Sequence, residues 1–263
     1  MTEYFSVAQG DGSWALGRFV APSSRLAELW KTVGGTVQLQ PMRVSALIGT
    51  GTADDVDAIE RFNRAAGRRA RVEAVEAKAA SASIALAVLA AIPPAWTRYL
   101  EVEPGEGMSA ALDVIKDRGA FAKLRTGGVT PDAFPDPDAV LDFLEGCARR
   151  RLPFKATAGL HHAVRGEFRL TYDPDSARGI MYGYLNLFAA AALLWAGRPR
   201  SDARAVLLED RPGEVRVSRE GLRIGGQTIP VEAISAMRSG FAHGFGSCSF
   251  REPLDELRVL ADS

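Results

Sequence analysis

Only 5 of the 263 residues are lysine, against 27 arginines, so the position of each lysine carries information. Lys123 and Lys155 open the segments KLRTGG and KATAGL, 32 residues apart, and each segment runs into glycine. Alternate side chains of a strand point to opposite faces. In FAKLRTG this puts Lys123 and Arg125 on one face, with Ala122, Leu124 and Thr126 on the other. In PFKATAGLHH it puts Lys155, Thr157, Gly159 and His161 opposite Phe154, Ala156, Ala158 and Leu160. In RYLEVE it groups Tyr99, Glu101 and Glu103 against Leu100 and Val102. If the apolar faces pack under helices, the polar faces share one enclosed space.

Two kinds of chemistry suit that set. A free lysine titrates near 10.4 and is charged and inert at neutral pH. A second cation beside it, here Lys123 or Arg125, favours the neutral amine, and a neutral Lys155 can attack a carbonyl to give an imine. Glu101 or Glu103 would oppose that shift by favouring the ammonium, or would shuttle the proton. Without covalent chemistry the same cations hold an anion, as in phosphoribosyl transfer or isomerisation. The plain alternative is a structural network in which each lysine pairs with a glutamate, since buried charge is costly unless paired. Barrel interiors are normally filled by Val, Ile and Leu, and barrel sites lie at the C-terminal ends of strands. These charges stand towards those ends, just before GGVTPD and GLHH, which favours a site.

His161 and His162 are two of only three histidines. Neighbours on an extended chain point apart, so one shared metal is not expected from the pair. His161 is read as a general acid or base, and His162 with Thr157, Arg125 and Glu103 as substrate contacts. His161 with Glu101 or Glu76 could hold a divalent metal, but no recognised ligand spacing is present; no metal ligand and no cofactor is predicted. FGSCSF (Phe245–Phe250) offers Gly246, Ser247 and Ser249 as backbone and hydroxyl donors to phosphate, which barrels often bind near their last strands. Cys248 has no nucleophile signature around it. Gly10, Gly12 and the glycine of TGTAD (Thr50–Asp54) read as turns, and Arg149, Arg150 and Arg151 as a helix end.

The elements that must position these residues alternate. Strand candidates are WALGRFVA, RVSALIG, RVEAVEAK, RYLEVE, FAKLRTG and PFKATAG, with starts 29, 28, 27, 23 and 32 residues apart. Between them lie SSRLAELWKTV, ADDVDAIERFNRAAG, SASIALAVLAAI, MSAALDVIKDRG and PDAVLDFLEGCARRR, several with a Ser or Asp cap before an apolar period of three to four. This is the pattern of parallel βαβ units. After His162 come a loop (HAVRGEFRLTYDPDSARG), an apolar helix over Ile180–Gly197, a β-hairpin excursion near 213–230 around Glu220-Gly221, a helix PVEAISAMRSG, a last strand His243–Phe250 and a closing helix EPLDELRVL. Six clear strands, a seventh at the end and one missing or disguised predict an α/β fold: a TIM-like (β/α) barrel, incomplete or modified, spanning 1–263 as one domain.

Composition narrows the partners. Lys+Arg and Asp+Glu both number 32, a formal charge of zero, which argues against a nucleic-acid binder or a polybasic membrane-surface protein. At 47% hydrophobic and 24% charged, the chain is ordinary globular material. Two cysteines make no disulfide framework, and the start lacks a basic region followed by an apolar run, so a cytoplasmic setting is expected. Ile180–Gly197 approaches a membrane span in length but contains Asn186 and no second such segment exists; a buried helix or a subunit interface is the reading. Being apolar nearly all round, it predicts a homodimer.

Two resemblances accompany these readings. KLRTGG and KATAGL look like the paired lysine strands of deoxyribose-phosphate aldolases. That likeness implies one lysine as Schiff base and the other lowering its pKa, although here the strand ending in two glycines comes first. KATAGLHH and FGSCSF, with EPLDEL after it, more closely resemble a group of uncharacterised bacterial and plant proteins, which implies a coherent family and no named reaction. The expectation is an enzyme, lyase or aldolase-like or else a transferase or isomerase of phosphorylated substrates, acting on a small anionic carbonyl compound. The alternative is a catalytically silent barrel that binds a metabolite or a partner.

Overall fold

The computed structural model describes residues 2–35, 40–49 and 53–261. It is an α/β fold whose residues form two compact units. One comprises Met1–Glu103 and Gly107–Ala122; the other comprises Pro104–Glu106 and Lys123–Ser263.

The first unit opens with a short helix α1 (Thr2–Ala8), followed by β1 (Phe19–Pro22) and α2 (Leu26–Val33). Then β2 (Met42–Leu47), α3 (Ala53–Ala66), β3 (Ala70–Lys78), α4 (Ala82–Ala91), β4 (Thr97–Glu101) and α5 (Met108–Asp117) alternate as the spacing predicts. Strands β1 to β4 pair in parallel, each with the next. Helix α4 starts where Ser81 caps it, its hydroxyl accepting from the Ile84 N–H at 3.2 Å. The first strand is shorter than WALGRFVA: residues Ser13–Ala15 form a 3₁₀ turn instead. Gly51, the glycine of TGTAD, lies outside the described residues.

β5 (Phe121–Arg125) leads into the second unit, where α6 (Pro137–Arg149) and β6 (Phe154–Thr157) follow. Asp136 caps α6, accepting from the Asp138 N–H at 2.8 Å. The stretch read as a loop after His162 instead forms an antiparallel hairpin, β7 (Gly166–Arg169) and β8 (Arg178–Met181). Then come α7 (Tyr184–Trp195), α8 (Arg200–Leu208), and the excursion as three antiparallel strands: β9 (Arg216–Ser218), β10 (Gly221–Ile224) and β11 (Gln227–Pro230). Helix α9 (Val231–Gly240), β12 (Ala242–Gly246) and α10 (Glu252–Ala261) close the chain. β12 pairs in parallel with β6.

The main sheet has seven strands in the order β1-β2-β3-β4-β5-β6-β12. That order never doubles back, unlike a doubly wound sheet, which reverses at a switch point. The seventh strand is the one expected at the end of the chain; no eighth joins this sheet among the described residues.

Helix α7 starts at Tyr184, not Ile180, because Arg178–Met181 belong to β8. Its 12 residues are buried on nearly every side, and it packs with α6, α8 and α9 of its own unit. The chain itself thus covers the apolar faces that suggested a homodimer, and that argument for an oligomer falls away. No helix among the described residues is long and apolar enough to cross a membrane. Asn186, the polar residue in this helix, is fully buried and satisfied. Its amide donates to Val206 O at 2.8 Å and Glu209 O at 2.7 Å, and its oxygen accepts from the Arg165 N–H at 2.8 Å.

Candidate active site

Strands β5 and β6 are neighbours in the sheet. The Thr126 N–H donates to Thr157 O at 2.9 Å. In a parallel ladder an N–H bonded to one carbonyl sits opposite the residue after it, so Thr126 faces Ala158. Counting back, Arg125 stands beside Thr157 and Lys123 beside Lys155, on backbones about 4.8 Å apart. Lys123 is 5% exposed, while Lys155 and Thr157 are half-buried and Arg125 is exposed.

The expected alternation holds in β6. Phe154 and Ala156 are fully buried, and the Phe154 ring meets Phe143 of α6 edge-on at 5.7 Å, so the apolar face lies under the helices. Lys155 and Thr157 take the opposite face. Gly246 stands opposite Thr157, and a Cβ there would lie 3.2 Å from Thr157 Oγ1, so Gly246 borders the same polar face.

The strand ends are held by backbone contact. Thr126 donates its hydroxyl to Ala158 O at 2.6 Å, and Ala158 is left-handed at φ 62° although it is not glycine. Gly159 follows at φ 71°. A Cβ on Gly159 would come within 3.0 Å of Gly127 Cα and 2.8 Å of the Phe134 ring. The loops after β5 and β6 therefore touch at two glycines beneath Phe134, which is why both lysine segments run into glycine.

The two histidines follow at once, and each meets a different carboxylate of α10. His162 Nδ1 is 2.6 Å from Glu256 Oε1, and Glu256 Oε2 accepts the Ala163 N–H, also at 2.6 Å. The face of the His162 ring stacks on Phe168 of β7 with centroids 3.5 Å apart. Burial pushes the Glu256 carboxyl up, but the His162 and Ala163 hydrogen bonds outweigh it and hold it below the ordinary range. His161 is held less closely. Its Nδ1 is buried with no hydrogen-bond partner and lies 4.0 Å from Glu252 Oε2, an oxygen that already accepts from the Tyr172 hydroxyl at 2.9 Å. Burial lowers the His161 pKa, Glu252 partly restores it and His162 lowers it again; the net is downward, so the ring is neutral at pH 7.

The FGSCSF segment divides. Phe245 and Gly246 end β12, while Ser247, Cys248 and Ser249 lie in the turn beyond it, not on a strand. Because β12 runs parallel to β6, this turn leaves the sheet at the same end as Gly159. Ser249 caps α10: its hydroxyl oxygen accepts from the Arg251 N–H at 3.2 Å and the Glu252 N–H at 3.1 Å. Ser247 accepts from the Ser249 N–H at 3.3 Å. The N–H groups expected to hold phosphate are thus partly committed within the turn. Cys248 is exposed; Cys147 is buried, and burial pushes its thiol up.

The predicted carboxylates belong to the first unit. Glu101 ends β4 and is buried, in register with Lys78 of β3; Glu103 lies beyond the strand and is exposed. Glu76, beside Tyr99, is 2% exposed and accepts the Ser45 hydroxyl at 2.7 Å.

Glu252, Glu256, Phe168 and Tyr172 were not foreseen as neighbours of the histidines. The available signal was the i, i+4 spacing of Glu252 and Glu256 in EPLDEL, which puts both on one helix face. Nothing local shows which residues that face meets. No family model, no curated protein and no solved structure matches this chain.

Proposed function

We propose that the protein is an enzyme acting on a small anionic carbonyl compound, with Lys155 of β6 as an imine-forming nucleophile. The supporting observation is the register that sets Lys155 beside a buried Lys123 on the neighbouring strand. A neutral amine at that position attacks a carbonyl to give an imine. Exposed Arg125, half-buried Thr157 and the open backbone at Gly246 border the same strand face and suit an anionic group. The substrate is accordingly small, carbonyl-bearing and negatively charged, with phosphate the natural anion.

A binding protein without covalent chemistry is the second reading. It is favoured by the fact that Lys123 and Lys155 already interact with other groups, as structural ion pairs would. Borohydride reduction with a panel of small aldehydes, ketones and their phosphate esters, followed by peptide mapping, separates the two. The expected result is an adduct on Lys155 that Lys155→Ala abolishes. Binding of phosphorylated compounds with no adduct from any carbonyl would leave the second reading.

A further inference from the structure

We infer that His162, and not His161, is the proton-transfer residue of this site, and that Glu256 is its positioning residue. The inference rests on the lysine reading above and extends it. An imidazole that moves protons must be held in one tautomer by a partner on its other nitrogen. His162 has that partner. Glu256 is ionised at neutral pH, so at 2.6 Å it must accept, and Nδ1 must carry the proton. In the neutral ring that leaves Nε2 as the acceptor.

The ring is fixed in two further ways. Phe168 lies flat against it, and the second Glu256 oxygen is pinned by the Ala163 N–H, so the carboxylate cannot swing away. His161 has no such anchor. Its nearest carboxylate oxygen is 4.0 Å off and is occupied by Tyr172. Both histidines stand on the segment that leaves the C-terminal end of β6, the strand that carries Lys155.

The step is conservative in atoms and electrons. The neutral Lys155 amine condenses with a carbonyl and, taking up one proton from solvent, releases water and gives an iminium. His162 Nε2 takes a proton from the adjacent carbon. The freed C–H pair becomes the C=C bond of an enamine, and the iminium π pair returns to nitrogen. The imidazolium so formed is balanced by Glu256. Reversal returns a solvent-derived proton to carbon.

The test uses the full chain and acetaldehyde deuterated on its methyl group, in ordinary water. NMR follows loss of deuterium, and borohydride trapping counts the Lys155 adduct in the same samples. General acid–base catalysis contributes about 10²–10⁴-fold. Glu256→Gln and His162→Gln are therefore expected to slow exchange per trapped adduct by about 100-fold or more. If Glu256→Gln does not fold, Glu256→Asp, which keeps the charge but draws it back, takes its place with a smaller loss. Trapping with unchanged exchange in these variants overturns the assignment alone, as does loss of exchange in His161→Asn with none in Glu256→Gln. No adduct in the unsubstituted protein overturns the lysine reading and this inference with it.

Discussion

Gly159 shows how much one residue can be asked to do. It is left-handed at φ 71°, it touches the backbone of Gly127, and it carries the Phe134 ring. Gly197 is a fair comparison: it is also left-handed, at φ 74°, but a Cβ there would meet nothing within 4 Å. Gly197→Ala should cost only the left-handed strain, about 1–2 kcal/mol. Gly159→Ala adds a steric term that no rotamer relieves, since one neighbour is backbone, and overpacking of this kind costs about 1–3 kcal/mol more. Urea melts of the two variants check this; equal losses would mean that the loops separate freely.

Elements were legible where their own residues decide them. β5 and β6 fall within the predicted segments, and β2, β3 and β4 each begin one residue before theirs, because alternation, caps and regular spacing are all local. β7 and β8 were not legible. GEFR and RGIM carry no apolar run, and what holds them lies outside the two strands' own pattern: Phe168 stacks on His162, and Leu170 is buried in the core. The length of α7 was overread for the same reason, since Ile180 and Met181 look like more of the same apolar helix. The face of the lysines was readable from period two alone. Their nearness in register needed the Thr126–Thr157 bond, which no local pattern reports. Asn186 looked like a flaw in an apolar helix and is instead a fastener between α7, the end of α8 and the strand entering β7. Asn186→Leu keeps the branched shape, at a larger volume, but strands three backbone groups, each costing about 1–3 kcal/mol if left unsatisfied. A loss of about 3–5 kcal/mol in chemical denaturation is expected. A loss below 1 kcal/mol would show that water reaches these groups.

Across the whole molecule, acid should act in two stages. His161 titrates ordinarily at 6.5 and is lowered in the fold. A depressed group binds more protons unfolded, so its contribution is complete above 6.5 and is lost as pH falls towards the folded value. Glu73, Glu209 and Glu256 are likewise lowered, from an ordinary 4.5, so their contributions hold above 4.5 and are lost further down. Thermal melts should be flat from pH 8 to about 7, decline gently below 6.5 and decline steeply below about 4.5. His161→Asn should remove the first decline and leave the second. A single acid transition in both proteins would contradict this.

The late position of β12 also governs how the chain can be made. β6 begins at Phe154 and its partner begins at Ala242, 242 − 154 = 88 residues later. Synthesis at about 5–20 residues per second needs roughly 4–18 s to cover that distance. Until then β6 offers a bare row of N–H and C=O groups, the feature that invites pairing with another chain. Ribosome pausing between β6 and β12 therefore lengthens the interval of exposure, and the yield of native protein becomes a matter of codon choice over residues 158–241 as well as of the amino acids themselves.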